Sequence, residues 1–317
     1  MSLSEISNKM VQASPVFIVG ERRSGSSILY RTLLKHSAFR PKTMTLEETF
    51  IFLFANRSFR FRKDHMRCSQ LLRYMLDDQV RYEQFLTSIQ SIQLLHRLLI
   101  GPISGRLADR LLPLWFVGLN HLVVRSFFYY AWEARKCRRI IEKTPLNLPH
   151  IPKIFIAFPK SKILYIYRHP VDVFSSYRKR LQIGLNSGEE INRDHWLRRA
   201  PKCFCKTYRI AIDIALNEVS NRSRSVFLVK YEAFVKQPKE EFSKICEFLG
   251  ETFEKEAMEE QNPDLSRWKA DPHLFGSIVS KTKNWQDFVA LGDAKYIEHE
   301  LESTMRTLGY QSYTNYW

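Results

Sequence analysis

The sequence is poor in the residues that mark disordered, secreted and metal-binding chains. Only 11 glycines and 13 prolines occur among 317 residues, which argues against long disordered tracts. The five cysteines are odd in number, and none of their spacings fits a zinc or redox motif. Residues 1–15 are polar and lack the apolar segment of a signal peptide. We therefore expect reduced thiols in a cytoplasmic protein with no metal site.

Long uninterrupted apolar runs are also missing. The most apolar long segment, 111–132, contains Asn120, His121 and Arg125, so we predict a buried helix there and no membrane span. A hydrophobic content of 44% is nevertheless enough for a substantial core. We predict one domain over residues 1–317, in which residues 1–14 form a flexible leader.

Acidic residues are scarce relative to basic ones. Asp and Glu number 33 against 49 Lys and Arg, which gives a net charge of +16 and a pI near 9.6. Such a balance favours an anionic partner, which could be a nucleic acid, a phosphorylated cofactor, a membrane surface or an acidic carrier. No nucleic-acid-binding motif is present, so we do not expect a nucleic-acid partner.

Strand patterns alternate with helical patterns over most of the chain. The predicted strands are 16–19, 138–141, 162–167 and 225–231, and helical periodicity follows each of them. This alternation predicts a three-layer α/β fold with a central parallel sheet flanked by helices. Between residues 50 and 137 helical patterns dominate, and we predict a helical insertion that lies over the sheet.

A candidate anion site follows the first predicted strand. Gly20 and Gly25 have the spacing of the nucleotide P-loop, G-x-x-x-x-G-K-[ST], so the fold is expected to be P-loop-like. Ser26 stands where that motif has its lysine, and Ser27 holds the Ser/Thr position. Backbone N–H groups at the start of a helix bind anions. Without the lysine, the loop suits a single terminal phosphate better than a β,γ-phosphate with Mg²⁺.

A second candidate anion site follows the third predicted strand. Arg168 ends that strand, and Pro170 is well placed to begin a helix. Ser176 and Arg180 lie one turn apart on the same face of that helix. Two guanidinium groups and a hydroxyl would suit a phosphate. Two anion sites at the carboxyl ends of parallel strands suggest a nucleotide with two separate phosphates.

The sequence resembles the sulfotransferase family, whose members use 3′-phosphoadenosine 5′-phosphosulfate (PAPS) as sulfonyl donor. Residues 23–27 resemble the family's 5′-phosphosulfate loop, and Arg168 with Ser176 resembles its 3′-phosphate motif. Residues 142–163 and 229–250 resemble the stretches before and after that motif. The pattern is closest to the tyrosylprotein and bacterial-type branch. The resemblance implies PAPS as donor, 3′,5′-bisphosphoadenosine (PAP) as product, and no metal.

The resemblance also implies roles for individual residues. Arg23 and Lys143 would act on the transferring sulfonyl group, and Tyr231 would lie near the nucleotide. Ser280, Lys281 and Lys283 belong to a late segment that resembles the family's lid, in which Ser277 is a further candidate. The full set of implied nucleotide-binding residues is Arg22, Arg23, Ser24, Gly25, Ser26, Ser27, Arg168, Ser176, Arg180, Tyr231, Ser280, Lys281 and Lys283.

The general base implied by the resemblance is Glu48. The tyrosylprotein branch has a Glu-Glu-Thr segment whose second glutamate is the base, and residues 47–49 match it. Other sulfotransferases use a histidine instead, which leaves His65, His96 and His121 as alternatives.

We expect the helical insertion at 50–137 to shape the acceptor site, but the sequence does not identify the acceptor. A small molecule, a lipid, a glycan, a carrier-bound acyl chain and a peptide tyrosine each offer a hydroxyl. Two other function classes also stay open. A P-loop kinase or NTPase would share the loop, although Ser26 argues against it. A basic, non-catalytic binding module would share the charge. The oligomeric state is not predicted.

Overall fold

A four-stranded parallel sheet forms the centre of the protein. The computed structural model describes residues 2–42, 46–52, 76, 79–100, 121–258 and 284–315. The strands are β1 (Val16–Gly20), β2 (Ile141–Lys143), β3 (Lys162–Tyr167) and β4 (Val226–Lys230). Their order in the sheet is β2-β1-β3-β4, and every neighbouring pair is parallel. The carboxyl ends of all four strands therefore meet at one edge.

Helices flank the sheet and connect its strands. The described α-helices are α1 (Leu3–Gln12), α2 (Ser26–Lys35), α3 (Gln79–Ile100), α4 (residues 121–135), α5 (Ile151–Ala157), α6 (Pro170–Asn186), α7 (Pro201–Asn221), α8 (Tyr231–Lys236), α9 (Pro238–Leu249), α10 (Leu291–Glu300) and α11 (Glu302–Thr307). Short 3-10 helices cover Pro145–His150, Trp196–Arg198, Lys255–Met258 and Trp285–Asp287. None of the helices in these ranges has the length and apolar character needed to cross a membrane.

The two faces of the sheet pack against separate hydrophobic clusters. Phe17 and Val19 of β1 point into the larger cluster, whereas Val16 and Ile18 point into the smaller one, which includes α2. This division follows from the alternation of side chains along a strand. The sheet is thus covered on both faces, and this arrangement confirms the predicted three layers.

Helix α1 replaces the flexible leader that we expected for residues 1–14. Ser2 caps the helix, and Glu5 completes a capping box with it. Ile6 and Met10 lie four residues apart, so they share one helix face, and both are buried in the larger cluster. Arg125 of α4 fixes the helix further by donating to Ser7 Oγ at 2.8 Å. Within the expected leader, two buried apolar residues thus anchor a short capped helix.

Other element boundaries differ modestly from prediction. β2 begins at Ile141, where the predicted strand 138–141 ends. The helix expected after it is divided into the 3-10 helix Pro145–His150 and α5, and a proline lies inside the 3-10 segment. Helix α6, which follows β3 as predicted, continues to Asn186. Within the predicted insertion 50–137, residues 79–100 and 121–135 are helical, and much of the remainder lies outside the described residues.

Candidate active site

Two glycines shape the loop between β1 and α2. Gly20 has a φ of +153°, and a Cβ there would lie 2.4 Å from the Ile166 carbonyl oxygen of the neighbouring strand. Gly25 has a φ of +100°, and a Cβ there would lie 2.3 Å from Cδ2 of the Tyr231 ring. Only glycine fits both positions without displacing its neighbours. The loop therefore packs directly on β3 and on Tyr231.

The loop leads into the N-terminus of α2, as the sequence predicts. Gly25 occupies the N-cap position, and no described side chain caps the first turn, which starts at Ser26 and Ser27. The first N–H groups of a helix have no intrahelical acceptor, so they are available to an anion. Ser24 is fully buried, and its Oγ has no hydrogen-bond partner among the described residues. These donors converge on one place.

Arg23 connects the loop to the second predicted anion site. It has a φ of +69°, which is uncommon for a residue other than glycine. Its Nε donates to Ser176 Oγ at 3.1 Å, across 153 residues of sequence. Strained backbone of this kind clusters at functional sites. The structure thus brings together the two motifs that the sequence placed far apart.

Arg168 and Tyr231 form a second connection between the two sites. The Arg168 guanidinium lies 4.4 Å from the centroid of the Tyr231 ring, against which Gly25 packs from the loop. Asp172, in the first turn of α6, pairs with Arg168 at 3.4 Å. Arg168 Nε is buried and has no hydrogen-bond acceptor in the part of the chain that the structure describes.

Arg180 and Arg22 are held by partners that the sequence analysis did not identify. Arg180 Nη2 donates to both carboxylate oxygens of Glu189, at 2.9 and 3.0 Å, while its buried Nη1 finds no acceptor in the described ranges. Arg22 lies over the Trp196 ring, 4.5 Å from its centroid. Both arginines are thus engaged at the rim of the candidate site.

The Glu-Glu-Thr segment lies beside Lys143 at the end of β2. Glu47 forms an isolated parallel bridge with Lys143, and the Glu48 N–H donates to the Lys143 carbonyl at 2.8 Å. Lys143 Nζ lies 3.3 Å from Glu47 Oε2 and 3.4 Å from Glu48 Oε1. Lys143 and Glu47 are buried, whereas the Glu48 side chain is 31% exposed. Of the two carboxylates, Glu48 is therefore the one that an acceptor could reach.

Glu142 is a charged residue of this region that the sequence analysis did not single out as functional. Its side chain is fully buried and accepts from Thr49, Thr144 and Asn147. Burial raises the pKa of the Glu142 carboxyl to about 7, although hydrogen bonds from Thr144 and Thr49 oppose that rise. The available sequence signal was a carboxylate directly after the predicted strand 138–141, where a charge that becomes buried needs a partner.

Several predicted residues lie outside the described part of the chain. These are the lid candidates Ser277, Ser280, Lys281 and Lys283 and the alternative base His65. His96 belongs to α3, but its side chain is not described, and His121 is partly buried at the start of the described part of α4.

Taken together, the residues suit a ligand with two anionic groups. Buried donors without acceptors occur at Ser24 in the loop and at Arg168 and Arg180 in the second motif. Buried polar groups are normally satisfied, so such orphaned donors indicate that a ligand completes their hydrogen bonds. The contacts through Arg23 and Tyr231 bring both donor groups close together at the carboxyl ends of β1 and β3.

Comparison with known proteins gives a family and a fold. Residues 15–255 match the model described as the sulfotransferase family. The sulfotransferase domain of the Synechococcus PCC 7002 olefin synthase superposes with a TM-score of 0.58 at 18% identity, covering 95% of this chain and 97% of that domain. A Mycobacterium avium sulfotransferase superposes with a TM-score of 0.51 at 12% identity, covering 97% and 80%. No curated protein sequence matches. The structural likenesses confirm the predicted α/β fold.

Proposed function

The chain belongs to the sulfotransferase family, an enzyme family that takes its sulfonyl group from PAPS, and we propose that it transfers this group to an acceptor hydroxyl with Glu48 as general base. The family resemblance predicted from the sequence is thereby confirmed. The proposal adds the residue roles, the in-line displacement and the kind of acceptor.

One observation carries the proposal: the two candidate anion-binding motifs are in direct contact with each other. Arg23 of the loop bonds to Ser176 of the second motif, and Gly25 packs on the ring that lies under Arg168. We assign the loop residues 22–27 to the 5′ end of the nucleotide and the second motif to its 3′-phosphate. An ATP-dependent enzyme would have no need of the second site.

When bound, PAPS supplies an activated sulfonyl group and a phosphate leaving group. Glu48 takes the proton from the acceptor hydroxyl as this hydroxyl attacks sulfur. Lys143, whose ammonium lies between Glu47 and Glu48, offers positive charge to the sulfonyl oxygens. Arg23 offers a second cation from the loop. In this arrangement two side-chain cations supply the electrostatic stabilisation of the developing charge.

The acceptor is a molecule with a nucleophilic hydroxyl. A small molecule, a lipid, a glycan and a carrier-bound acyl chain all meet this requirement, and one structural neighbour is a domain of an olefin synthase. We propose that residues of the predicted insertion form the acceptor site together with the Glu48 side chain, which is 31% exposed.

Nucleotide-dependent melting tests the proposed donor. PAP should raise the melting temperature, whereas ATP with Mg²⁺ should raise it much less, because at equal concentration the ligand that binds more tightly stabilises the folded state more. The reverse order would support a kinase or NTPase instead. No response to either nucleotide, together with salt-sensitive RNA binding, would support a basic binding module.

Transfer of label from [³⁵S]PAPS to a panel of phenols, primary alcohols, sterols and sugars tests the reaction itself. Glu48→Gln should lower the transfer rate by about 10²–10⁴-fold while leaving the PAP affinity nearly unchanged. Glu47→Gln is the matched control, because both carboxylates contact Lys143 but only Glu48 is accessible. Equal losses of transfer and PAP affinity in Glu48→Gln would rule out its role as base.

A further inference from the structure

The backbone around the proposed base is held in an unfavourable conformation. Glu48 has a φ of +49° and Phe50 a φ of +50°, so two residues other than glycine adopt left-handed conformations on either side of Thr49. Such conformations cost free energy and persist only where the surrounding structure enforces them. Something must therefore hold Thr49 firmly.

Thr49 is held by the buried carboxylate of Glu142. Its Oγ1 donates to Glu142 Oε1 at 3.0 Å, and its N–H points to the same oxygen at 3.4 Å. The Thr49 Oγ1 also accepts from the Ile51 N–H at 3.3 Å. The Thr49 side chain thus links the strained segment to Glu142 and also holds Ile51, the residue that follows Phe50.

Glu142 is in turn anchored from β2 and from the segment that follows it. Thr144 Oγ1 donates to Oε1, and Asn147 Nδ2 donates to Oε2 at 3.1 Å. Glu142 is paired with Phe17 in the sheet. Because successive side chains of a strand point to opposite faces, the Glu142 side chain and that of the next residue, Lys143, lie on different faces of the sheet. One short strand therefore presents Lys143 to Glu48 on one face and holds Thr49 on the other.

We propose that Glu142 is a positioning residue that fixes Glu48 against Lys143 through Thr49. This role rests on the proposed function of Glu48, but its structural part can be tested independently. Glu142 does not reach an acceptor, because it is fully buried. It acts by maintaining the backbone conformation in which the Glu48 carboxylate lies 3.4 Å from Lys143 Nζ.

A matched pair of substitutions separates positioning from general stability. Thr49→Val and Thr144→Val each remove one buried hydroxyl that donates to the same oxygen of Glu142, with almost no change in volume. Only the first hydroxyl belongs to the segment that carries Glu48. Amide hydrogen exchange of the peptide covering residues 46–52, measured by mass spectrometry, reports directly on that segment.

The expected result is local. Thr49→Val should raise exchange in residues 46–52 at least tenfold, Thr144→Val should change it less than threefold, and Thr49→Ser, which keeps the hydroxyl, should restore protection. Both valine variants should bind PAP as the unmodified protein does. With any acceptor from the panel that takes label, Thr49→Val should lower kcat while leaving the KM for PAPS unchanged.

Two outcomes would overturn the proposal. Equal exchange in residues 46–52 for both valine variants would show that Thr49 has no special role. Increased exchange throughout the protein, with a matching fall in PAP affinity, would show that the carboxylate is a general scaffold. Absence of PAP binding in the unmodified protein would instead refute the proposed function, and the exchange comparison would still decide whether Glu142 fixes the segment.

Discussion

Ionisation of the buried Glu142 carboxyl should lower the free energy of unfolding as the pH rises from 4.5 to 8. Burial raises the pKa of its carboxyl from the ordinary value of 4.5 to about 7 in the folded protein. Between these two values the folded protein retains a proton that the unfolded chain has released. The stabilisation is therefore complete below pH 4.5 and is lost as the pH rises through 7.

The magnitude follows from the size of the pKa change. A tenfold change in an ionisation constant corresponds to about 1.4 kcal/mol, so the difference between 4.5 and about 7 corresponds to about 3 kcal/mol. Because a protein of ordinary stability unfolds at a cost of about 5–15 kcal/mol, a loss of this size is readily measured. No correction for solvent screening is needed, since the side chain is fully buried.

Glu142→Gln supplies the comparison that isolates this group. The partly buried His150 and the buried His169, whose pKa values burial lowers to about 4, contribute the opposite dependence on pH, but they do so equally in both proteins. Urea unfolding, followed by tryptophan fluorescence at pH 5, 6, 7 and 8, gives both stabilities. Because part of the change already occurs below pH 5, the variant should gain about 2.5 kcal/mol relative to the unmodified protein over this range. Parallel curves, within 1 kcal/mol, would refute the reasoning.

Three further predictions concern the nucleotide site. Arg168→Ala should weaken the binding of PAP at least tenfold but that of adenosine 5′-phosphate much less, because only PAP carries a 3′-phosphate. Calorimetry measures both affinities, and an equal loss for the two nucleotides would contradict the two-site assignment. Gly25→Ala should destabilise the fold by about 1–3 kcal/mol and abolish PAP binding, because its Cβ meets an aromatic ring at 2.3 Å. Gly250 also has a positive φ, but a Cβ there would have no atom within 4 Å, so Gly250→Ala should retain PAP binding. Equal effects of the two substitutions on stability and PAP binding would exclude steric conflict at Gly25 as the cause. Glu189→Gln should increase the affinity for PAP severalfold, because it releases Arg180 from its ion pair. An unchanged affinity would argue against a role of Arg180 in binding the 3′-phosphate.

The sequence predicted those parts of the fold whose signals are local. The apolar run of β1 and the glycines after it lie within ten residues, and the structure places strand and loop where they were expected. α1 was missed although its capping box, Ser2 with Glu5, is visible in the sequence. β2 was displaced because two of its three residues, Glu142 and Lys143, are charged, and hydropathy alone does not identify such a strand.

The sequence predicted which basic residues would belong to the candidate site, but it did not predict which acidic residues pair with them. Asp172 lies four residues after Arg168, a helical spacing that could have been used. The hydrogen bond between Thr49 and Glu142 spans 93 residues, and no local pattern predicts it. Contacts of this kind depend on the register of the sheet, which brings the Glu-Glu-Thr segment to the edge of β2.

The acidic partners also explain why net charge alone could not identify the ligand. Arg168 pairs with Asp172, Arg180 with Glu189, and Lys143 with two glutamates, so much of the positive charge at the site is already neutralised locally. A buried cation without such a partner would be costly, and the carboxylates keep the cations oriented before the nucleotide binds. Under the proposed function, nucleotide binding would exchange carboxylate for phosphate at fixed guanidinium groups. We propose that specificity for a doubly phosphorylated adenosine comes from the spacing of the cations and orphaned donors around Arg23 and Tyr231, and that the overall charge of +16 contributes little to it.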